Sequence, residues 1–189
     1  MQEHRLLNRG DKNRNPSGVS FLELLKEDLT THESIWEQGF WAMATHRFGN
    51  WRMGLPKLIR PPFTIVYRVL FKWVEITCGI TLPYTVLVGR RVRIWHHGGM
   101  ILHAFRIGDD VHIRQNTTFG VARRDRLDEL PTIEDRVDIG CGAVVLGCIT
   151  VGHDSIIGAN AVVVTSIPHH SVAVGVPAKV IKSLDPIGS

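Results

Sequence analysis

Cysteine is scarce in this 189-residue chain and tyrosine scarcer, at 3 and 2 residues. Cys78, Cys141 and Cys148 form an odd set without CxxC spacing. That excludes a disulfide framework or a zinc knuckle and points to a reducing, cytoplasmic compartment. Long uncharged apolar runs are also lacking. The most apolar stretch, Phe63 to Ile80, is interrupted by Arg68, Lys72 and Glu75. A spanning helix is therefore excluded, and a surface-lying amphipathic helix stays open. The first 18 residues carry no apolar run, so no secretory leader is expected. Strong charge is missing too: a net +4 and a pI near 9.2 suit an anionic small molecule and are too weak to argue for nucleic acid.

What is present is an ordinary globular composition, 44% hydrophobic and 21% charged, in a chain long enough for a real core. Its organisation predicts a disordered tail over 1–18, a helical domain over 19–80, a β-helix over 81–168 with an inserted loop at 121–131, and a C-terminal cap over 169–189. In the helical part, Ser17 or Ser20 caps a helix over 21–31 in which Phe21, Leu24, Leu25 and Asp28 follow helical spacing. A second helix is expected from Ser34 to Arg52, with Ile35, Phe40, Ala44 and Phe48 on one face. Pro61 and Pro62 open a third that runs to Cys78. Trp36, Trp41, Trp51 and Trp73 read as packing residues.

From Val88 the pattern changes. Ile133, Ile139, Val145, Val151, Ile157 and Val163 recur every six residues, as do Ile107, Ile113 and Phe119, and Val88 and Ile94. Glycine follows many of them, as at Gly108, Gly140 and Gly152. A small or β-branched residue comes four positions after each, as at Thr117, Ala143, Ser155 and Ala161. At 3.6 residues per turn a helix would scatter these positions around its surface. Short strands joined by tight turns explain them: three hexads form one triangular coil, and stacked coils bury an aliphatic column. Two irregular segments break the series, Trp95–Phe105 and Val121–Pro131. Segments thrown out of a solenoid are where function concentrates.

These residues resemble the hexapeptide-repeat acyltransferases, and within them the serine acetyltransferase branch. The resemblance runs from about Asp28 to Lys182. It rests on GFWAMATHRFGNW in the helical half and on GRRVRIWHHGG, IGDDVHIRQNTTFG, DIGCGAVVLGCITVGHDSIIGANAVV and VAVGVPAKVIK in the other. It implies a left-handed parallel β-helix, trimers (with hexamers as a further possibility) whose active sites lie between subunits, and acetyl transfer from acetyl-CoA to a hydroxyl. No metal is expected.

The resemblance places the catalytic histidine at His96, in Ile94-Trp95-His96-His97-Gly98-Gly99. The chemistry is coherent, because an alcohol needs a base of near-neutral pKa to attack a thioester, and the resulting oxyanion needs an amide donor such as Gly98 or Gly99. His103 is a second catalytic candidate, and His97 would face the opposite way along a strand. Gly142, Ala143, Ala159 and Ala161 are expected along the pantetheine, and Lys179 and Lys182 near the nucleotide phosphates. Their alternative role is to cap the solenoid. Arg123, Arg124 and Arg126 read as a solvated charge run, with contact to an anionic acceptor as the alternative.

The acceptor side departs from the serine acetyltransferase pattern. Thr81 stands where that branch has an aspartate paired with the histidine, and Trp95 where it has another. The inserted loop ends Asp128-Glu129-Leu130-Pro131 in place of Asp-Arg-His-Pro. Two enzyme readings follow: O-acetylation of serine, or of a sugar hydroxyl in glycan biosynthesis, with Trp95 stacked on the ring. A non-catalytic binding solenoid is the third.

Overall fold

The computed structural model describes residues 10–184. Of the expected tail, 1–9 lie outside the described residues, as do 185–189 of the expected cap. Residues 10–18, expected to be disordered, instead lie against the helical part. The Tyr84 hydroxyl donates to the Gly10 carbonyl (3.3 Å), the Arg14 amide to Asn50 Oδ1 (3.2 Å), and Asn15 Nδ2 to the Arg47 carbonyl (3.0 Å). Backbone bonds of this kind supply the order that the polar composition does not suggest.

Three helices follow. Helix α1, Phe21–His32, starts from a full capping box in which Ser20 Oγ accepts from the Glu23 amide and Glu23 reaches back to the Ser20 amide. Helix α2, Gln38–Trp51, begins later than expected, and a 3-10 turn at Arg52–Gly54 continues it. Helix α3, Arg60–Cys78, has proline in its first turn and Gly79 in the left-handed conformation beyond its end. The tryptophans mostly pack as expected: Trp51 meets Phe21, Phe48 and Phe63, and Trp41 meets Trp73 edge-on. Trp36 is the exception, 86% exposed.

The rest is a three-sided parallel β-helix. Its first sheet stacks β1 (Ile80–Thr81), β4 (Met100–Leu102), β7 (Thr118–Gly120), β10 (Val144–Leu146) and β13 (Val162–Val163). The second stacks β2 (Leu87–Val88), β5 (Arg106–Ile107), β8 (Thr132–Ile133) and β11 (Thr150–Val151). The third stacks β3 (Arg93–Ile94), β6 (His112–Ile113), β9 (Asp138–Ile139), β12 (Ile156–Ile157) and β14 (Ser171–Val174), and ends in the antiparallel β15 (Lys179–Ser183). Parallel stacking therefore continues past the expected end at 168, through β14 pairing with β12.

The hexad series is the core. Ile107, Ile113, Phe119, Ile133, Ile139, Val145, Val151, Ile157 and Val163 are at most 1% exposed, and each contributes about 1.5–3 kcal/mol by leaving water. The fourth-position residues Thr117, Ala143, Ser155 and Ala161 are buried with them. Ser155 meets its polar cost locally, its hydroxyl donating to the Pro168 carbonyl (2.8 Å) and accepting from the Ser171 amide (3.2 Å). Gly152 is required by close approach, because a Cβ there would collide with the His169 backbone of the next coil.

The N-terminal end of the β-helix would leave backbone groups of its first coil unpaired. Helix α2 meets them with polar side chains. His46 Nε2 donates to the Val86 carbonyl (2.9 Å), Arg47 Nη1 to that of Val88 (2.9 Å) and Nη2 to that of Gly89 (2.5 Å), and Asn50 Nδ2 to that of Tyr84 (2.8 Å). His32 Nε2 accepts from the Ile94 amide (3.2 Å). Of the expected Ile35, Phe40, Ala44 and Phe48 stripe, Phe40 is buried and Ala44 and Phe48 are half-buried; the buried face of α2 also takes in Ala42, Met43, His46, Arg47 and Asn50. Ile35 precedes the helix and is exposed. Among the described residues no helix is long and apolar enough to cross a membrane.

Candidate active site

His96 lies at the corner between β3 and β4, in the left-handed conformation (φ 61°). Each later coil repeats that corner: Asn116, Gly142 and Asn160 also have positive φ between the third and first sheets. The corners stack by backbone bonds, Asn116 N to Gly98 O (3.2 Å), Gly142 N to Gln115 O (2.9 Å) and Asn160 N to Cys141 O (2.8 Å). His96 therefore heads a column that passes Gly142 and Ala159–Asn160. Its side chain is exposed, and among the described residues no side chain bonds to its ring.

Gly98 (φ 97°) and Gly99 (φ 64°) form the corner because the chain passes the end of α3 there; a Cβ on Gly79 would come within 3.0 Å of Gly98 Cα. The Gly98 amide already donates to the Cys78 carbonyl (3.0 Å), so the expected oxyanion role falls to Gly99 alone. Trp95 is committed on two sides. Its indole N–H meets His112 Nδ1 (3.0 Å), and the Arg93 guanidinium lies 3.7 Å from its ring centroid. The face proposed for a sugar ring is covered on that side by Arg93.

His96, Trp95, Arg93, Ile94, His32 and Glu37 line one cleft, of about 120 Å³. Glu37, which the sequence reading missed, is the N-cap residue of α2 and makes no side-chain capping bond. Burial lowers the pKa of His32, and the bond that Nδ1 donates to the Asp28 carbonyl (2.7 Å) offsets part of this.

His103 lies across β4 at the next corner and opens on a different cleft. That cleft, about 120 Å³, is lined by Pro83, Thr85, Val86, Phe105 and Leu130 of the inserted loop. Packing on its inner side lowers the His103 pKa, and the Glu75 carboxylate partly offsets this. Glu75 also accepts from Thr81 Oγ1 (3.2 Å) and Lys72 Nζ (2.8 Å), which places a carboxylate beside the position where Thr81 replaces an acid. In the loop, Arg123 pairs with Asp125 and Arg126 with Glu129, a solvated charge run. At about 120 Å³ each, both clefts lie well below the ~300–1,000 Å³ typical of ligand pockets. One chain does not bring His96 and His103 together.

The four small residues assigned to the pantetheine divide. Ala143 and Ala161 point into the core, 0% exposed, with their backbone groups bonded within the coils. Their side chains cannot line a ligand; Gly142 and Ala159 stay at the surface. Lys179 and Lys182 are exposed on β15. Their odd separation would put them on opposite faces of a regular strand. However, the register shifts between Val172 and Ala173, so that Lys182 stands opposite Val172 and Lys179 opposite Val174. Cross-strand partners share a face, so this irregularity turns both lysines to one side. Five strand intervals of about 4.8 Å, roughly 24 Å, separate β15 from β3 and the His96 corner.

A triangular parallel β-helix that carries an unpaired histidine at its first corner and two lysines at its far end is the architecture of a hexapeptide-repeat acyltransferase. No family model matches the chain. The serine acetyltransferase of Mycobacterium tuberculosis is 34% identical over 179 residues, 94% of this chain and 72% of that protein. That of Bacillus subtilis is 32% identical over 174 residues, 85% of this chain and 77% of that protein. Among solved structures, the serine acetyltransferase of Vibrio cholerae superposes with a TM-score of 0.74 at 24% identity, over 88% of this chain and 67% of that one. A serine acetyltransferase in complex with CoA does so at 0.71 and 24%, over 87% and 71%. The chain belongs to the serine acetyltransferase family of acetyl-CoA-dependent O-acetyltransferases.

Proposed function

We propose that this chain acetylates the hydroxyl of serine with His96 as general base, in a homotrimer whose active site joins the His96 cleft of one chain to the His103 cleft and the 121–131 loop of the next. The observation that carries the base is the exposed His96 ring, at the head of the corner column and without a competing bond among the described residues. The imidazole takes the hydroxyl proton as the oxygen attacks the thioester carbonyl. The tetrahedral oxyanion is held by the Gly99 amide. It collapses with cleavage of the C–S bond, and the imidazolium returns the proton to the departing thiolate. Cys141 and Cys148 have no part in this, since direct attack forms no acyl-enzyme.

Glu37 is the carboxylate available to orient His96, in place of the aspartate that Thr81 does not supply. Acetyl-CoA lies along the corner past Gly142 and Ala159, with its phosphates toward Lys179 and Lys182. A structural relative is known bound to CoA. The separate openings of the His96 and His103 clefts support a site shared between chains. In this reading the helical segment 19–80 closes the open end of the β-helix, and the enzyme works in the cytoplasm.

The test is thiol release from acetyl-CoA by the purified protein, with L-serine set against a panel of sugars and nucleotide sugars. Saturable release with serine is expected. Release with a sugar and none with serine would move the acceptor to a glycan and make the Asp128–Pro131 turn its site.

A further inference from the structure

A second group of chemically competent side chains lies far from His96, at the corner between the second and third sheets near the C-terminal end. His153 Nδ1 stands 2.7 Å from Asp154 Oδ2, and His170 Nε2 stands 4.0 Å from the same oxygen. These atoms all lie within 4.8 Å of one another. The fold brings them together, since His153–Asp154 and His169–His170 occupy the same corner of successive coils. The His170 amide donates to the His153 carbonyl (3.0 Å), and Asp154 and His170 share the left-handed conformation, at φ 58° and 51°. The corner is fixed from below as well, with the His153 amide on Glu134 Oε2 (2.9 Å).

Asp154 is held ionised. Arg136 bonds both its oxygens, Nε to Oδ1 (2.7 Å) and Nη2 to Oδ2 (2.7 Å), and this, with help from His153, keeps its pKa well below the usual carboxylate range. An ionised carboxylate has about four lone-pair sites. The two bonds from Arg136 and the one from His153 therefore leave it able to take a further ligand. The His169 ring stacks on His153 at 5.1 Å and 8°, limiting how far that ring can turn.

We infer that His153, Asp154 and His170 form a binding site for a borderline divalent transition ion of the zinc class. Two imidazoles and one carboxylate suit Zn²⁺, Ni²⁺ or Cu²⁺ and disfavour the oxygen-seeking Mg²⁺ and Ca²⁺. Donors bound at 2.0–2.1 Å in a tetrahedron sit roughly 3.4 Å apart, so small ring rotations bring His170 into place. With the ion bound, His153 ligates through Nδ1 as the neutral tautomer that carries its proton on Nε2, so its bond to Asp154 is given up, and Arg136 becomes the outer partner that orients the carboxylate. Because the ligands come from two successive coils, the ion staples the last turn before β14 to the coil beneath it.

The experiment is equilibrium dialysis of the full, untagged chain against zinc chloride, with the bound ion counted per chain. A parallel cobalt titration reports tetrahedral coordination through its visible absorption. One ion per chain is expected. His170→Gln and, separately, His153→Gln should weaken binding on the order of tenfold or more. His169→Gln, which removes a neighbour and no ligand, should keep it. Circular dichroism establishes that each variant is folded. Failure of the untagged chain to bind, or retention of the ion by both folded ligand variants, overturns the assignment; retention would place the ion on other histidines.

Discussion

Arg47 and Asp28 form an ion pair, Nε to Oδ2 at 3.0 Å, with both side chains 0% exposed. The same guanidinium holds the carbonyls of Val88 and Gly89, so one residue joins α1, α2 and the first coil. Burial outweighs the attraction at Asp28, whose pKa is raised despite its partner. The pair is therefore costly to form, and breaking one side of it costs more than the pair contributes.

Replacing Arg47 by Met should accordingly destabilise the protein by about 3–5 kcal/mol, since it strands a buried carboxylate and two carbonyls. Urea unfolding followed by circular dichroism reads the loss. The double variant Arg47→Met, Asp28→Leu should recover part of it. A loss within a few tenths of a kcal/mol would mean that the clamp is not what holds the helical part to the β-helix.

His46 predicts the pH dependence of that junction. Burial first, and the Arg47 charge second, lower its pKa to about 3. An unfolded histidine titrates near 6.5, so between about 6.5 and 3 the unfolded chain binds the extra proton. Stability from this group is therefore complete above pH 6.5 and is lost as pH falls, with a limiting slope of about 1.4 kcal/mol per pH unit. Urea midpoints of the natural protein and His46→Gln should converge as the pH drops from 7 to about 4, a window set by these two pKa values. A constant gap would show that His46 is not buried neutral.

The hexad column was legible because an inward residue every six positions admits no helix, and every predicted member from Ile107 to Val163 is buried. The face of α2 was legible only at Phe40. A helix is read by taking its apolar residues as inward, whereas α2 turns His46, Arg47 and Asn50 inward because a coil end offers carbonyls that apolar groups cannot satisfy. The polar run Thr45-His46-Arg47 within an otherwise apolar helix was the available signal. Sequence placed His96 in the irregular segment that the structure forms into the corner between β3 and β4. It could not see that the Gly98 amide is already bonded, that Arg93 covers Trp95, or that Glu37 lines the His96 cleft, because each depends on segments brought together only by folding.

The separation of His96 and His103 onto two clefts makes a prediction about assembly. His96→Ala should lower acetyl transfer by about 10²–10⁴-fold, as loss of a general base does, with CoA binding retained. His103→Ala should also be impaired. If the active site takes His96 from one chain and His103 from its neighbour, co-expressing the two inactive variants regenerates intact sites in mixed trimers. A substantial fraction of natural activity should then return. No recovery from mixed oligomers verified by mass spectrometry would mean that both histidines act within one chain, or that only His96 acts.

The irregular register of β14 and β15 leads to the last prediction. Because Lys182 stands opposite Val172 and Lys179 opposite Val174, both ammonium groups leave the hairpin on one side, at the far end of the third sheet from His96. Two cations on one face are suited to two phosphate groups, and screening weakens such contacts over a Debye length of about 8 Å at physiological salt. Lys179→Ala and Lys182→Ala should each raise the Kd for CoA and reduce its salt dependence, while kcat at saturating acetyl-CoA stays near the natural value. Deleting Ile181 removes the unpaired residue and leaves the two lysines two positions apart, still on one face of a regular strand, so this variant should keep the natural affinity. Isothermal titration across a salt series measures all three. Affinity unchanged in both alanine variants would leave β15 as a cap on the β-helix and move the nucleotide elsewhere along the corner.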